Sequence, residues 1–176
     1  MTPKYLSHLR EQYKPFTDLI ANNTCRLSHI AEFGCGAGNI TKILIEDYNI
    51  SNNTCLDVDS DILHIANRNI DSHHVSSLRS SVCYKKADIR DKVGHFDIIH
   101  SHGVLEHLPD DVIQEAIKSQ LSQANTLIHY VPSNKYGFKS FGDERLLSKE
   151  EWVTKHKPTN IVEFNDGFDI ILVWSK

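Results

Sequence analysis

The sharpest chemical signal in the chain is seven consecutive residues, Glu32-Phe33-Gly34-Cys35-Gly36-Ala37-Gly38. The alternating glycines follow directly on a short apolar run, Ile30 to Phe33. Glycine in such a place lets the backbone turn tightly and lets a ligand approach where a Cβ would stand. A dinucleotide fingerprint would need its third glycine at position 39, where the chain has Asn39. The phosphate-loop pattern ending in Gly-Lys-Ser/Thr is also missing. The turn therefore suits a nucleoside-like ligand that carries no pyrophosphate.

Two acids extend that reading. Asp57 lies 19 residues beyond Gly38, at the end of the next apolar segment. A carboxylate there can accept both ribose hydroxyls of a bound nucleoside. Asp59 is a nearby alternative, although alternation along a strand places Asp57 better. In Ala87-Asp88-Ile89, Asp88 can accept from an exocyclic adenine amine and Ile89 can cover the ring. Taken alone, Asp88 is more often a turn residue. Further along, His100, His102, Glu106 and His107 gather groups able to take up a proton. His73-His74 reads as an exposed loop pair. The cysteines Cys25, Cys35, Cys55 and Cys83 form no C-x-x-C pair, which disfavours a metal site or a disulfide framework. Small buried thiols in a reducing cytoplasm fit them better.

The elements that must position these residues alternate in type. Leu6, Leu9 and Tyr13, then Phe16, Leu19 and Ile20 after Pro15, fit two amphipathic helices in residues 1–25. Apolar runs at Ile30 to Phe33, Thr54 to Val58, around Val82 and Tyr84, Phe96 to Ser101 and Thr126 to Val131 read as strands. Helical spacing lies between them, at Ile40 to Tyr48 with Asn39 as N-cap and at Ile62 to Ile70. A third such helix, running to about Leu121, opens on an Asp111–Gln114 capping box. This order predicts an α/β fold: a Rossmann-like, mainly parallel sheet with right-handed crossovers, flanked by helices. Ser148 and Glu151 predict a capped helix through about His156. Asn165-Asp166-Gly167, between Ile161 to Phe164 and Phe168 to Trp174, predicts a closing antiparallel hairpin.

Composition sets the outer bounds. A chain of 176 residues fits one domain, 1–176, and can bury a core without a metal or disulfide staple. Its hydrophobic fraction of 40% and charged fraction of 24% are ordinary for a globular protein. No apolar run nears the length of a membrane span, and no basic-then-apolar leader opens the chain. The formal charge of -4 argues against a surface that tracks nucleic-acid phosphates. The expectation is a cytoplasmic protein with no membrane or nucleic-acid partner. Oligomeric state is left open.

In combination these motifs resemble the class I S-adenosylmethionine-dependent methyltransferases, the small type 11-like domains in particular. The first motif of that family, E-x-G-C-G-x-G, is similar to Glu32 to Gly38. Its second-strand acid matches Asp57, and its adenine-side acid matches Asp88. The fourth-strand motif resembles F-D-I-I-H-S-H-G-V-L-E-H-L-P-D, Phe96 to Asp110. The resemblance covers about Leu27 to Lys176, closing hairpin included.

The resemblance implies S-adenosylmethionine as cofactor, with Glu32, Gly34, Cys35, Gly36, Gly38, Asp57, Val58, Asp88, Ile89 and His102 at its site. It implies methyl transfer to a small-molecule acceptor through an O, N or C nucleophile. An acidic nucleophile needs no base, whereas a hydroxyl or ammonium does. Glu106 and His107 are the catalytic candidates; the alternative for His107 is a shaped wall beside the methionine moiety. The same pair resembles part of the metal-binding E-x-x-E-H of small-RNA 2′-O-methyltransferases, but Gly103 stands where the first acid would be, so no metal is expected. The 17 residues from Val131 to Leu147 are long for a connection and read as a substrate-side insertion, with Tyr136 walling and Arg145 gripping the acceptor. The alternatives are an ordered surface loop with Phe138 and Phe141 in the core, and Arg145 paired to Asp143 or Glu144. Residues 1–25 would close over the other side as a helical lid. A different function also fits the motifs: a non-catalytic S-adenosylmethionine-binding subunit that regulates or activates a partner.

Overall fold

A computed structural model of the chain describes residues 3–25, 27–71, 81–140 and 142–176. The helices are α1 (Pro3–Gln12), α2 (Lys14–Asn22), α3 (Asn39–Tyr48), α4 (Ser60–Asp71), α5 (Asp110–Leu121) and α6 (Lys149–His156). The strands are β1 (His29–Phe33), β2 (Asn52–Asp57), β3 (Ser81–Lys86), β4 (Phe96–His102), β5 (Ala124–Pro132), β6 (Asn160–Phe164) and β7 (Asp169–Ser175). They form one sheet in the order β3-β2-β1-β4-β5-β7-β6. The first five are parallel, and β7 runs antiparallel between β5 and β6. The chain has the Rossmann-like architecture its alternating pattern predicts.

Side-chain alternation divides the core between the two faces of the sheet. Ile30, Ile98, Ile128 and Ile171 pack toward α2 and α3 with Phe16, Ile20 and Leu44. Their neighbours Ala31, Ile99, Leu127 and Ile170 pack on the other face with Ile113, Ala116 and Trp152 from α5 and α6. Burial on both faces explains why these strands read as continuous apolar runs. Phe16 and Ile20 are buried in the core, so α2 packs as a layer of the fold.

Several local expectations change. The N-cap of α3 is Gly38, in the left-handed region, and Asn39 is the first helical residue. No side chain caps α5: it starts at Asp110 after Pro109, so the Asp111–Gln114 box does not form. Asp110 instead meets Arg145, Lys155 and His156. The Ser148–Glu151 box on α6 does form, with both reciprocal bonds. Cys35 and Cys55 are buried, but Cys25 and Cys83 are exposed, the latter because β3 is an edge strand of the sheet. Phe138 is exposed rather than tucked into the core, while Phe141 and His73-His74 lie outside the described residues. No described helix is long and apolar enough to cross a membrane.

Candidate active site

The glycine turn sits at the C-terminal end of β1, in the middle of the parallel strands. Its three glycines all have positive φ, yet they serve different purposes. A Cβ at Gly34 would lie 2.5 Å from Val104 Cγ2, and one at Gly38 2.8 Å from Ile70 Cδ1. A Cβ at Gly36 would meet no protein atom within 4 Å. Gly34 and Gly38 are thus required by packing, whereas Gly36 opens onto a cavity of about 220 Å³. The Cys35 amide donates to the Leu56 carbonyl (3.0 Å), and the Gly36 amide donates to Asp57 Oδ2 (3.1 Å). The other Asp57 oxygen accepts from the Asp59 amide (3.1 Å), so Asp57 orders both its own turn and the glycine turn. Glu32 is buried, and its Oε2 accepts from the Thr41 hydroxyl (2.5 Å) and amide (3.2 Å), pinning the first turn of α3. Burial pushes its carboxyl up to about 7.

Beyond Asp57, Val58 is 59% exposed, an apolar side chain standing open at the strand ends, and Ile89 is buried nearer the sheet. Asp88 is at the end of β3 as expected, but its carboxylate closes on Arg90 (Nε–Oδ1 2.7 Å). That hydrogen bond holds the carboxyl below its ordinary range. Asp88 is therefore an ion-paired turn residue in this arrangement.

A second cavity, of about 400 Å³, adjoins the first and shares Tyr13 and His102 with it. His102 ends β4 and stacks on Tyr130 (4.3 Å between centroids), with the edge of Tyr13 against it (4.2 Å). Burial pulls the His102 imidazole down to about 4, which keeps it neutral at pH 7. A turn at Leu105–His107 then places Glu106 and His107 in the second cavity's wall. Glu106 is 3% exposed, and its Oε2 has no hydrogen-bond partner among the described residues. Burial pushes this carboxyl up to about 7. His107 Nδ1 meets Asp143 Oδ1 at 2.8 Å, and its Nε2 is 4.0 Å from Glu106 Oε1. His100 is fully buried among core residues and does not line either cavity. Among the described residues, no three or more histidines, cysteines or acids gather to hold a metal.

The segment from Val131 to Leu147 closes this cavity, but not with the chemistry expected of it. Tyr136 lines the wall, and its hydroxyl donates to the buried Asp169 (2.8 Å), as does that of Tyr130 (2.7 Å). Arg145 does not grip the cavity: its Nη1 pairs with Asp110 Oδ1 (2.5 Å). Arg145 does not pair with Asp143 or Glu144 either: its Nε and Nη2 have no hydrogen-bond partner among the described residues, and its amide donates to the Glu106 carbonyl (2.8 Å). Glu144, 4% exposed, faces the cavity instead. Sequence reading passed over Tyr130 and Asp169, and took Glu144 only as a possible partner of Arg145. Asp169 carried a signal, as an acid opening the apolar strand Ile170 to Trp174.

Comparison with known proteins agrees with this arrangement. A family model described as a methyltransferase domain matches residues 31–127, more than half the chain. Trans-aconitate 2-methyltransferase from Rhizobium etli is 26% identical over 152 residues, which cover 84% of this chain and 54% of that protein. The chain thus spans about half the length of that relative. The methyltransferase domain of bacterial CtHen1 superposes with a TM-score of 0.72 at 16% identity, over 96% of this chain and 99% of that one. Magnesium protoporphyrin IX methyltransferase from Synechocystis PCC 6803, with bound SAH, gives 0.71 at 14% identity, over 94% and 82%. These two likenesses are likenesses of fold. The chain belongs to the methyltransferase domain family, in the class I S-adenosylmethionine-dependent group. S-adenosylmethionine is the cofactor this membership implies, and the cradle fits it: Gly36 leaves open space where a ligand must come close, beside Asp57 at the strand ends.

Proposed function

We propose that this domain transfers a methyl group from S-adenosylmethionine to a small-molecule acceptor. The observation that carries the reading is the pair of adjoining cavities with Tyr13 and His102 as their common wall. One lies on the glycine turn and the other on Glu106, as a donor and an acceptor meeting at one point would require. When bound, the cofactor supplies a methyl group already activated on a sulfonium.

The protein's part is to hold and to exclude. Glu32, Gly34, Cys35, Gly36 and Gly38 form the cradle, and Asp57 receives the ribose hydroxyls while continuing to order Gly36. Val58 and Ile89 cover the two faces of the adenine. Asp88 meets the exocyclic amine only if its pair with Arg90 opens. Neutral His102 walls the methyl-donor side. Glu106, buried with one oxygen unpartnered, is the base, and His107 fixes the rim through Asp143. Tyr136 walls the acceptor. Arg145 holds the substrate-side segment in place through Asp110 rather than touching the acceptor.

The test is to incubate the protein with S-adenosylmethionine labelled on its methyl group and a fractionated cell extract. Label in the low-molecular-weight fraction, dependent on Glu106, is the expected result. Transfer to RNA or protein only would overturn the acceptor class. No transfer despite tight cofactor binding would favour the non-catalytic binding subunit. Trans-aconitate, for which the Rhizobium etli relative is named, belongs among the compounds assayed.

A further inference from the structure

The charged side chains that wall the acceptor cavity are buried acids rather than lysines or arginines. Among the described residues no lysine or arginine lines it. Of the basic side chains that flank it in sequence, Lys135 reaches the Asp166 carbonyl (2.7 Å), Lys139 is exposed, and Arg145 places Nη1 on Asp110 with Nε and Nη2 unpartnered among the described residues. The Tyr130 and Tyr136 hydroxyls already donate to Asp169, which leaves their aromatic rings, and no hydroxyl hydrogens, for a ligand. Facing the space are two buried carboxyl groups. Glu144 accepts from the Gly142 amide (2.9 Å), and Glu106 Oε2 accepts from no donor among the described residues. A buried carboxylate oxygen without a donor is unfavourable or takes up a proton, and burial does raise the Glu106 carboxyl to about 7. A wall whose fully charged groups are carboxyls, set among aromatic faces with Gln12, Ser140 and His107 as further polar side chains, is complementary to a ligand that carries positive charge. It repels a carboxylate.

We propose that the methyl acceptor is a small amine, held as its ammonium by Glu106 and Glu144 against the rings of Tyr13 and Tyr136. This rests on the reading of the adjoining cavity as the cofactor site. The bond accounting is simple. The ammonium gives one proton to the Glu106 carboxylate, the freed nitrogen lone pair takes the methyl, and the carbon–sulfur electron pair stays on sulfur. The products are an N-methylammonium and S-adenosylhomocysteine. Glu106 then serves twice, as the anion that selects the ammonium and as the base that makes it nucleophilic.

The experiment titrates protein saturated with S-adenosylhomocysteine against benzylamine, benzyl alcohol, benzoate and trans-aconitate. The first three share one ring and differ only in the polar group. Benzylamine is expected to bind at least about tenfold more tightly than the other three, as one charge-assisted contact requires. Glu106→Gln, nearly isosteric, should lower benzylamine affinity by about tenfold or more with no loss of S-adenosylhomocysteine affinity. Glu144→Gln gives a second, independent loss if the first variant melts early. Equal or tighter binding of benzoate or trans-aconitate overturns the proposal, as does benzylamine affinity unchanged in both variants. Failure to bind S-adenosylhomocysteine at all would sink the cofactor reading itself, which keeps the two failures distinct.

Discussion

Gly36→Ala and Gly34→Ala place the same methyl group two residues apart with opposite expected consequences. At Gly36 the new Cβ meets no protein atom within 4 Å, so the fold bears only the cost of a left-handed alanine at φ 52°. That cost is about 1–2 kcal/mol, and for a chain of this size it lowers Tm by roughly 2–8 °C. The methyl does, however, project into the space assigned to the cofactor. A tenfold or greater rise in the Kd for S-adenosylhomocysteine, about 1.4 kcal/mol, is expected. At Gly34 the Cβ would be 2.5 Å from Val104 Cγ2 at φ 63°. Overpacking of about 1–3 kcal/mol adds to the same backbone strain and should lower Tm by roughly 4–20 °C. Because that Cβ points at Val104 rather than into the cavity, S-adenosylhomocysteine affinity should fall less than in Gly36→Ala. Thermal melts with and without ligand, paired with titration calorimetry, read both quantities. The reasoning is refuted if Gly36→Ala binds like wild type, or if it melts as low as Gly34→Ala.

Three further outcomes follow from the same geometry. Asp57→Asn keeps an acceptor for the Gly36 amide but removes the charge, and should weaken S-adenosylhomocysteine binding by about 1.5–3 kcal/mol with the fold intact; unchanged calorimetric affinity would cancel its ribose role. Arg145→Ala should lower Tm and slow methyl transfer by loosening the substrate-side segment, without changing the preference among acceptors, because the guanidinium is on Asp110; an altered acceptor preference in competition assays would return it to the pocket. Burial lowers His100 and His129 to about 3, below the 6.5 of the unfolded chain, so their contribution is complete above pH 6.5 and is lost as pH falls toward 3. Denaturant midpoints should therefore drop steadily below pH 6.5, and a midpoint flat from pH 7 to 4 would contradict that assignment.

Much of this was legible because the patterns that fix an α/β sheet are local. Apolar runs that end on glycine or an acid, the Ser148–Glu151 box and the Asn165-Asp166-Gly167 turn each carry their own geometry, and the structure places all three as the sequence implies. The contact between the Gly36 amide and Asp57 joins two turns that follow neighbouring strands, which is why the pair stood out in the sequence. What the sequence concealed depends on partners far along the chain. Arg145 reads as a free cation until Asp110, 35 residues away, is folded against it. Asp88 reads as a ligand residue until Arg90 turns back onto it. Tyr130 and Asp169 come from different strands, and their pairing, 39 residues apart, removes hydroxyl donors from the acceptor cavity. Side-chain direction inside a long connection has no period to betray it, so the acid character of that cavity emerges only in three dimensions.

The proposed cofactor site at the Gly36 turn is tested most directly by titrating the protein with S-adenosylhomocysteine in a calorimeter and repeating the titration with NAD. One equivalent of S-adenosylhomocysteine should bind, with a rise in Tm that mass action requires of a ligand selective for the native state, and NAD should give neither. A shift with NAD and none with saturating S-adenosylhomocysteine would contradict the assignment of the cavity.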